Sequence, residues 1–219
     1  MTVIRAATWN VHGLRAGVDA VAQVIREQAV DVLLVQESGP RRRLRSLGAA
    51  LGMEVATDPV AFPRRRVKDA ILVRPPQPIR SHRQVRFRDG SLLSPRGAEI
   101  ARLDGLTAVS VHLGLNWQER RRHAAQLLEE LGNEPTSLVI GGDLNSHPWD
   151  PAPIALAEAY RDVWAAVGEG DGLTMPAAEP TARIDFLFAG PTVRPLRVWT
   201  VATTASDHLM VAADLEVSR

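Results

Sequence analysis

Short apolar runs alternate along the chain with segments that have helical periodicity. The runs at Thr2–Asn10 and Asp31–Gln36 predict strands, and Val18–Gln28 between them has apolar residues at the spacing of one helical face. A strand–helix–strand unit with short links is a right-handed crossover between parallel strands. We therefore expect these two strands to be parallel and their carboxyl ends to lie at one edge of a sheet.

The same pattern continues to the end of the chain. Further strands are predicted over residues 53–56, 69–74, 79–87, 99–103, 106–112, 138–140, 184–189, 193–200 and 209–215. Helices are predicted over 42–51, from 116 to the glycine at 132, and from 151 to 159, with a loop over 168–180. The chain contains no repeat and no linker, which predicts a single domain over residues 1–219.

Polar residues occupy the ends of several predicted strands. Asp143 and Asn145 follow the run 138–140, and we expect Gly141 and Gly142 to end that strand because glycine permits a sharp turn. The full set is Asn10, Glu37, His112, Asp143, Asn145, Asp207 and His208, with Asp185 near the start of its strand. Carboxylates and amides suit a hard divalent cation, and imidazoles and amides donate to phosphate oxygens.

Each of these residues also has an ordinary structural explanation. Asn10 could cap a strand, His112 could be an edge histidine, and Asp143 with Asn145 could form a polar turn. If each residue had only its own structural role, all of them would lie at strand ends by coincidence. The pattern therefore favours a shared site. The chain has no P-loop, no GxSxG elbow and no HExxH motif, so those chemistries have no support.

The composition limits the kind of site. The 219 residues include no cysteine, so any metal must be held by oxygen and nitrogen ligands. No apolar run approaches the roughly 18 residues that would cross a bilayer, and the first ten residues enter a strand at once. Together with the lack of disulfides, these features predict a cytoplasmic location and no membrane insertion.

The net charge of +1 conceals an asymmetry. Residues 40–102 hold 15 basic against 5 acidic side chains, and the remainder holds 11 against 20. A basic segment of this kind fits a polyanionic substrate, although a solvated face has the same composition. The candidates for contact with such a substrate are Arg64, Arg65, Arg66 and Lys68.

Six ordered motifs resemble those of the endonuclease/exonuclease/phosphatase superfamily. They are TWNVHGLR (8–15), VQE (35–37), VHLG (111–114), GGDLN (141–145), RIDFLF (183–188) and SDH (206–208). The resemblance spans almost the whole chain and implies a catalytic domain with a four-layer α/β sandwich, in which two mixed β-sheets pack face to face with helices outside. His12 and His112 stand where the exonuclease III-like branch has aspartate and tyrosine, which favours the branch with deoxyribonuclease I and the sphingomyelinases.

The resemblance also implies roles for the candidate residues. Glu37 would be the principal Mg²⁺ ligand, with Asn10 and Asp207 beside it. Asp143 would orient and deprotonate the attacking water, and Asn145 would hold the phosphate or the water. His208, backed by Asp185, would stabilise phosphoryl oxygens or transfer a proton, and His112 would donate to a phosphate oxygen. The resemblance leaves open whether Asp143 or His208 is the base.

These inferences predict a Mg²⁺-dependent phosphodiester hydrolase, with Mn²⁺ as a substitute ion. The basic segment slightly favours a nucleic acid substrate and therefore an endonuclease or exonuclease. One alternative is a phosphatase or phosphodiesterase that acts on a small or lipid-derived phosphoester. An alternative of another class is a catalytically inactive binding module, against which the intact acidic and histidine set argues. No obligate protein partner is evident from the sequence.

Overall fold

The computed structural model describes residues 1–60, 66–88, 94–132, 134 and 136–218. The strands are β1 (Thr2–Asn10), β2 (Val32–Gln36), β3 (Glu54–Thr57), β4 (Ala70–Val73), β5 (Ile79–Arg86), β6 (Gly97–Leu103), β7 (Leu106–His112), β8 (Leu138–Asp143), β9 (Arg161–Asp162), β10 (Asp185–Ala189), β11 (Val193–Val201) and β12 (Met210–Val217). The helices are α1 (Val18–Glu27), α2 (Arg41–Leu51), α3 (Trp117–Leu131), α4 (Pro151–Ala159) and α5 (Val163–Val167), with a 3₁₀ turn at His12–Leu14.

The strands form two sheets of six. The first sheet has the order β11-β12-β1-β2-β4-β3, and the second has the order β5-β6-β7-β8-β10-β9. The pairs β1–β2 and β7–β8 are parallel, and the other neighbours are antiparallel. The expected parallel crossover through α1 is confirmed, and α3 makes an equivalent crossover in the second sheet.

Three apolar layers hold the elements together. The middle layer lies between the sheets and includes Leu34, Ile71 and Leu187. The first sheet packs on α1 and α2 through residues such as Ile25, and the second packs on α3 and α4 through residues such as Leu127. The predicted four-layer sandwich is thus confirmed. Among the described residues no helix is long and apolar enough to cross a membrane.

The two glycines before Asp143 lie inside β8 and do not end it, contrary to the expectation from sequence. A Cβ on Gly141 would come within 2.5 Å of Leu34 in the facing sheet, and one on Gly142 within 2.1 Å of the Val111 carbonyl oxygen. The glycines therefore allow close packing on both sides of the strand, which carries Asp143 at its last position.

A buried polar clamp joins the two sheets. The Gln36 amide nitrogen donates to Ser110 Oγ at 3.0 Å, and that hydroxyl donates to the Val35 carbonyl at 2.9 Å. Thr8 Oγ1 lies 3.3 Å from the Gln36 amide oxygen. Because Gln36, Ser110 and Thr8 are fully buried, these bonds set the position of one sheet against the other.

Candidate active site

One edge of the sandwich collects the predicted polar residues. The parallel strands β1, β2, β7 and β8 end there, whereas the antiparallel strands β10 and β12 begin there. The register confirms this arrangement, since Asp185 at the start of β10 is paired with Asp143 at the end of β8. Residues from both strand ends and strand starts therefore meet at this edge, which we call the site edge.

Asp143 lies at the junction of the two sheets. Its Oδ2 accepts from the Asn10 amide at 2.9 Å and lies 3.2 Å from His112 Nε2 and 3.9 Å from His208 Nε2. Burial alone would raise the pKa of this carboxyl, but the two imidazoles and the Asn10 amide together hold it well below its usual range. Asp143 is therefore an ionised acceptor at neutral pH.

Behind His208 stands a second buried carboxylate. His208 Nδ1 lies 2.9 Å from Asp185 Oδ2, which also accepts from the Thr174 hydroxyl at 2.6 Å. Burial would lower the pKa of His208, but the hydrogen bond and charge of Asp185, together with Asp143 and Asp207, raise it to about 9. The imidazole is therefore charged at neutral pH, with Nε2 on the side of Asp143.

His112, the last residue of β7, is held by Asn145 and Arg96. Its Nε2 lies 3.1 Å from the Asn145 amide nitrogen, which also donates to the Leu113 carbonyl at 3.2 Å. A guanidinium nitrogen of Arg96 lies 2.6 Å from His112 Nδ1. Asn145 is fixed in turn because its backbone N–H donates to Asp143 Oδ1 at 2.9 Å. The expected polar turn at Asp143–Asn145 exists and coincides with the site.

A polar cavity of about 160 Å³ adjoins these residues. Its lining includes the acidic Glu37 and Asp69, the basic Lys68 and Arg96, and His112. The Glu37 carbonyl accepts from the Gly13 N–H at 2.8 Å, but its carboxylate has no partner among the described residues, and both carboxyl oxygens of Asp69 are buried without one. This is the only part of the site edge where we find a carboxylate without a protein partner among the described residues.

Strained backbone concentrates at the same edge. Glu37 and Asn145 both have φ of 49°, and His12 and Leu14 have φ of 45° and 56°. Such conformations cost of order 1–3 kcal/mol for residues other than glycine and cluster at functional sites. Here they turn the chain directly after β1, β2 and β8 and aim the polar side chains at one another.

Asp207 and Asn10 lie on the first-sheet side. Asp207 Oδ1 is 3.4 Å from His12 Nδ1, and Arg15 is bonded to the other ring nitrogen of His12 at 2.8 Å. Asn10 Oδ1 accepts from the His12 backbone N–H at 3.0 Å. His12 thus has both ring nitrogens engaged and holds Asp207.

Two groups of residues have the chemistry for a metal ion. The ligand atoms of Asp143, Asp185 and His208 lie within 4.8 Å of one another. Asp143 Oδ2 is already hydrogen-bonded to Asn10, and Asp185 Oδ2 to Thr174 and His208, whereas Asp185 Oδ1 is buried without a partner. Glu37, in contrast, presents an unpartnered carboxylate to the polar cavity, and oxygen ligands of this kind fit a hard divalent cation.

The predicted basic approach is only partly present. Arg66 does not line an exposed surface, because it is 3% exposed and its guanidinium bonds to Thr57, Ser38 and the Gly39 carbonyl. Its role is therefore to hold loops together. Lys68 is exposed and lines the polar cavity. Arg64 and Arg65 lie outside the described residues.

Other arginines of the basic segment also bind within the protein. Arg80 pairs with Asp104 at 2.7 Å, and Arg83 pairs with Glu130 at 2.8 Å. Arg41 donates to the carbonyls of Asp58 and Val60. Among the described residues, part of the charge asymmetry is therefore balanced by ion pairs and carbonyl contacts within the protein.

Three residues of the site were missed by the sequence analysis. Thr174 lies in the loop 168–180, where no periodicity marks a buried hydroxyl. Arg96 was counted only as one charge among many. Asp69 is the first residue of a predicted strand. Its charge, directly before an apolar run and next to Arg66 and Lys68, is a signal that could have marked it as a site residue.

The fold and this buried acid and histidine set define a phosphoester hydrolase. The Endonuclease/Exonuclease/phosphatase family profile matches residues 7–208, and the chain belongs to that family. The family assignment suggested by the six sequence motifs is therefore confirmed. No curated protein sequence matches the chain at a significant level.

Solved structures share the fold. An endonuclease/exonuclease/phosphatase protein from Bacteroides vulgatus has a TM-score of 0.86 and 19% identity, with 100% of both chains covered. D. rerio TDP2, solved with a single-strand DNA product, has a TM-score of 0.82 and 18% identity, with 99% of this chain and 100% of that chain covered. A Bacteroides thetaiotaomicron mannosyl-6-phosphatase has a TM-score of 0.80 and 17% identity, with 97% and 99% covered.

Proposed function

We propose that this protein is a Mg²⁺-dependent hydrolase of phosphodiesters that acts on nucleotides or single-stranded nucleic acid ends. The observation that carries the proposal is the setting of Asp143, which is buried, ionised, and surrounded by an amide and two imidazoles at the edge where both sheets meet. A carboxylate in this setting supplies a fixed negative charge and a proton acceptor beside groups that can bind phosphate.

The two candidate bases differ in charge, which supports different roles for them. Asp143 is held ionised, so it can orient an attacking water, and it would accept the proton of that water as its bond to the phosphorus forms. His208 is held charged by Asp185 and so stabilises the phosphoryl oxygens or gives a proton to the leaving group. Asp185 acts through His208 and is a positioning residue. His112 and Asn145 would donate to the phosphate from the second sheet, in place of contacts that they now make with Asp143 and the Leu113 carbonyl.

The divalent ion belongs on the Glu37 side of the site. Glu37 would hold it, with Asn10 and Asp207 nearby, and the bound ion would supply positive charge to the phosphate. The unpartnered Glu37 carboxylate in a polar cavity supports this placement. The cluster of Asp143, Asp185 and His208 is the weaker candidate, because a metal there would displace hydrogen bonds that are already made.

The distribution of arginines favours a short substrate. A protein that follows a long duplex neutralises many phosphates with exposed basic groups. Among the described residues, Arg66, Arg80 and Arg83 are engaged away from the site, whereas Lys68 and the His112-bonded Arg96 line the polar cavity. Two cations beside the site suffice for one phosphate group and its neighbour. The single-strand DNA product in the D. rerio TDP2 structure is consistent with such a substrate.

The small cavity also favours a second candidate function. About 160 Å³ lined by Lys68 and Arg96 would accommodate the terminal phosphate of a small phosphomonoester. The related mannosyl-6-phosphatase from Bacteroides thetaiotaomicron supports this possibility. A panel that contains single-stranded oligonucleotides, plasmid DNA, RNA, sugar phosphates, inositol phosphates and sphingomyelin separates the candidates by the substrate that is turned over.

The central test is Glu37→Gln, which keeps the shape of the side chain and removes its charge. We expect hydrolysis of bis(p-nitrophenyl) phosphate in Mg²⁺ to fall by more than about 100-fold, since even outer partners of a metal ligand are worth roughly 10–100-fold. Direct titration of Mn²⁺ into the protein should show a matching loss of affinity. Glu158→Gln makes the same chemical change on the exposed side of α4 and should behave like the wild type. Normal Mn²⁺ affinity in Glu37→Gln would contradict the metal assignment.

A further inference from the structure

Two loops at the site edge carry exposed apolar side chains. Leu115 and Trp117 follow β7 and are 71% and 56% exposed, and Trp149 follows β8 and is 72% exposed. Single exposed apolar residues are common on protein surfaces and need no explanation. These three, which we call the aromatic rim, instead all follow the strands of His112 and Asp143, with Leu115 and Trp149 in the loops after β7 and β8 and Trp117 at the first position of α3.

The two loops of the aromatic rim are tied to each other. Arg120 donates to the Leu115 carbonyl at 2.6 Å, and its second terminal nitrogen lies 3.9 Å from Asp150 Oδ2. Asp150 accepts from the His147 backbone N–H at 2.9 Å and donates its own N–H to the His147 carbonyl at 2.9 Å. Arg120 therefore joins the loop after β7 to the loop after β8.

The Trp149 ring is held with one open face. Its indole stacks on the His147 imidazole, with ring centroids 4.7 Å apart and planes 4° apart. Because His147 covers one face and the side chain is still largely exposed, the other face of the indole is turned to solvent. A flat, open aromatic face is the surface on which a second planar ring stacks.

The aromatic rim is close in sequence to the proposed phosphate-binding residues. The Asn145 amide donates to the Leu113 carbonyl and adjoins His112. Leu115 is two residues beyond Leu113, and Trp149 is four residues beyond Asn145. The first turns of α3 add positive charge beside Trp117, with Arg121 exposed to solvent. Open ring faces beside exposed positive charge complement a planar base on an anionic phosphate backbone.

We propose that the aromatic rim is a stacking platform for a base of the substrate, with Trp149 as the principal contact. This proposal rests on the proposed hydrolase function and names the substrate class, a nucleotide or a single-stranded nucleic acid. Base stacking on an aromatic side chain tolerates any base sequence, because every base has a π-face. The platform therefore selects for the presence of a base and not for its identity.

The test compares two single-stranded oligonucleotides of one length, one with bases throughout and one with abasic residues on both sides of the scissile phosphate. For Trp149→Ala we expect KM on the base-bearing strand to rise about 10-fold, a loss typical of removing one stacking ring, with no change on the abasic strand. Trp149→Phe should retain most of the wild-type KM. Leu196→Ala removes an exposed apolar side chain from β11 and is the matched control.

Binding gives a second measurement that does not depend on turnover. The Asp143→Asn variant should bind a nucleoside monophosphate, and the added Trp149→Ala change should weaken that binding about 10-fold. If the protein binds the nucleotide in this way but hydrolyses neither strand, the proposed function fails and the platform stands. An equal rise in KM on both strands, or no rise on either, would overturn the platform. Trp149-dependent binding to phosphatidylcholine vesicles without nucleotide binding would also overturn it and assign the rim to a membrane surface.

Discussion

The His208 imidazole lies between two carboxylates that serve different purposes. Asp185 holds Nδ1 at 2.9 Å, whereas Asp143 is 3.9 Å from Nε2 and is occupied by Asn10. The first distance is a hydrogen bond, and the second leaves room for a reacting group. At the residue scale this difference predicts that Asp185 matters only while His208 is present.

His208→Ala should therefore lower kcat by roughly 100-fold or more, the usual worth of a proton-transferring group. Asp185→Ala should lose as much or less, because it acts through the imidazole. The double variant should be no slower than His208→Ala alone, since residues that act as a unit are non-additive. Steady-state kinetics on one small diester measures all three variants, with the exposed Asp171→Ala as a control. If the loss in kcat of the double variant equals the product of the two single losses, His208 and Asp185 do not act as a unit.

Sequence reasoning found the members of the site that end strands. Asn10, Glu37 and Asp143 each follow a strongly apolar run, so their polarity stands out against the pattern. Thr174 and Arg96 lie in irregular segments, where a polar residue is the ordinary expectation. Their partners become visible only when Asp185 and His112 are placed in three dimensions.

At the scale of elements, β8 depends on its glycines for close packing. Gly142→Ala would place a Cβ 2.1 Å from the Val111 carbonyl oxygen in the neighbouring parallel strand. We expect a loss of about 3 kcal/mol in the free energy of unfolding, in the range of overpacked sites. Activity should fall further than stability, because Asp143 is the next residue. Urea unfolding and small-diester kinetics measure the two effects.

Gly132→Ala at the end of α3 is the matched control. Its new Cβ would meet the Glu129 carbonyl oxygen only at 3.5 Å, an ordinary contact, and its φ is −57°. This variant should keep the wild-type stability within about 1 kcal/mol. A Gly142→Ala protein as stable and active as Gly132→Ala would show that β7 and β8 separate without cost.

The local hydrophobic pattern of the sequence predicted most strands and helices, but it did not predict which strands pair with each other. Runs such as 106–112 and 138–140 have enough apolar length to be recognised. The two-residue strand β9 and the short helix α5 were missed, since 161–167 is too short to show a period. Sheet order depends on pairings between distant segments, such as β1 with β12, which no local pattern records.

At the scale of the whole molecule, another buried acid, Glu99, affects stability. Glu99 in β6 is fully buried, with Oε1 2.6 Å from His82 Nδ1 and Oε2 without a partner. Burial, with the nearby Asp58 charge, raises its pKa to about 8 against the opposing effect of Arg66. The folded protein therefore keeps this carboxyl protonated in a range where the unfolded chain ionises.

The sign of the pH effect follows from this difference. From about pH 4.5 to pH 8 the unfolded chain binds fewer protons at this position, so the free energy of unfolding falls as pH rises. Glu99→Gln removes the titration, so its gain in the free energy of unfolding over the wild type should be small at pH 5 and grow to about 5 kcal/mol at pH 9. Urea unfolding at pH 5, 7 and 9 measures the gain, with Glu158→Gln as the exposed control. A constant difference across those pH values would contradict the raised pKa.

The clamp of Gln36 and Ser110 has a consequence for how this scaffold accommodates change. Two apolar sheet faces slide over one another with little loss of buried area, because hydrophobic contact has no direction. Hydrogen bonds weaken steeply with small displacements, so this clamp fixes the position of one sheet relative to the other. It lies one residue before Glu37 and two before His112, inside the sandwich and away from the surface loops. Those loops are thus free to be lengthened, shortened or exchanged to suit new substrates while the charged residues beneath them keep their spacing.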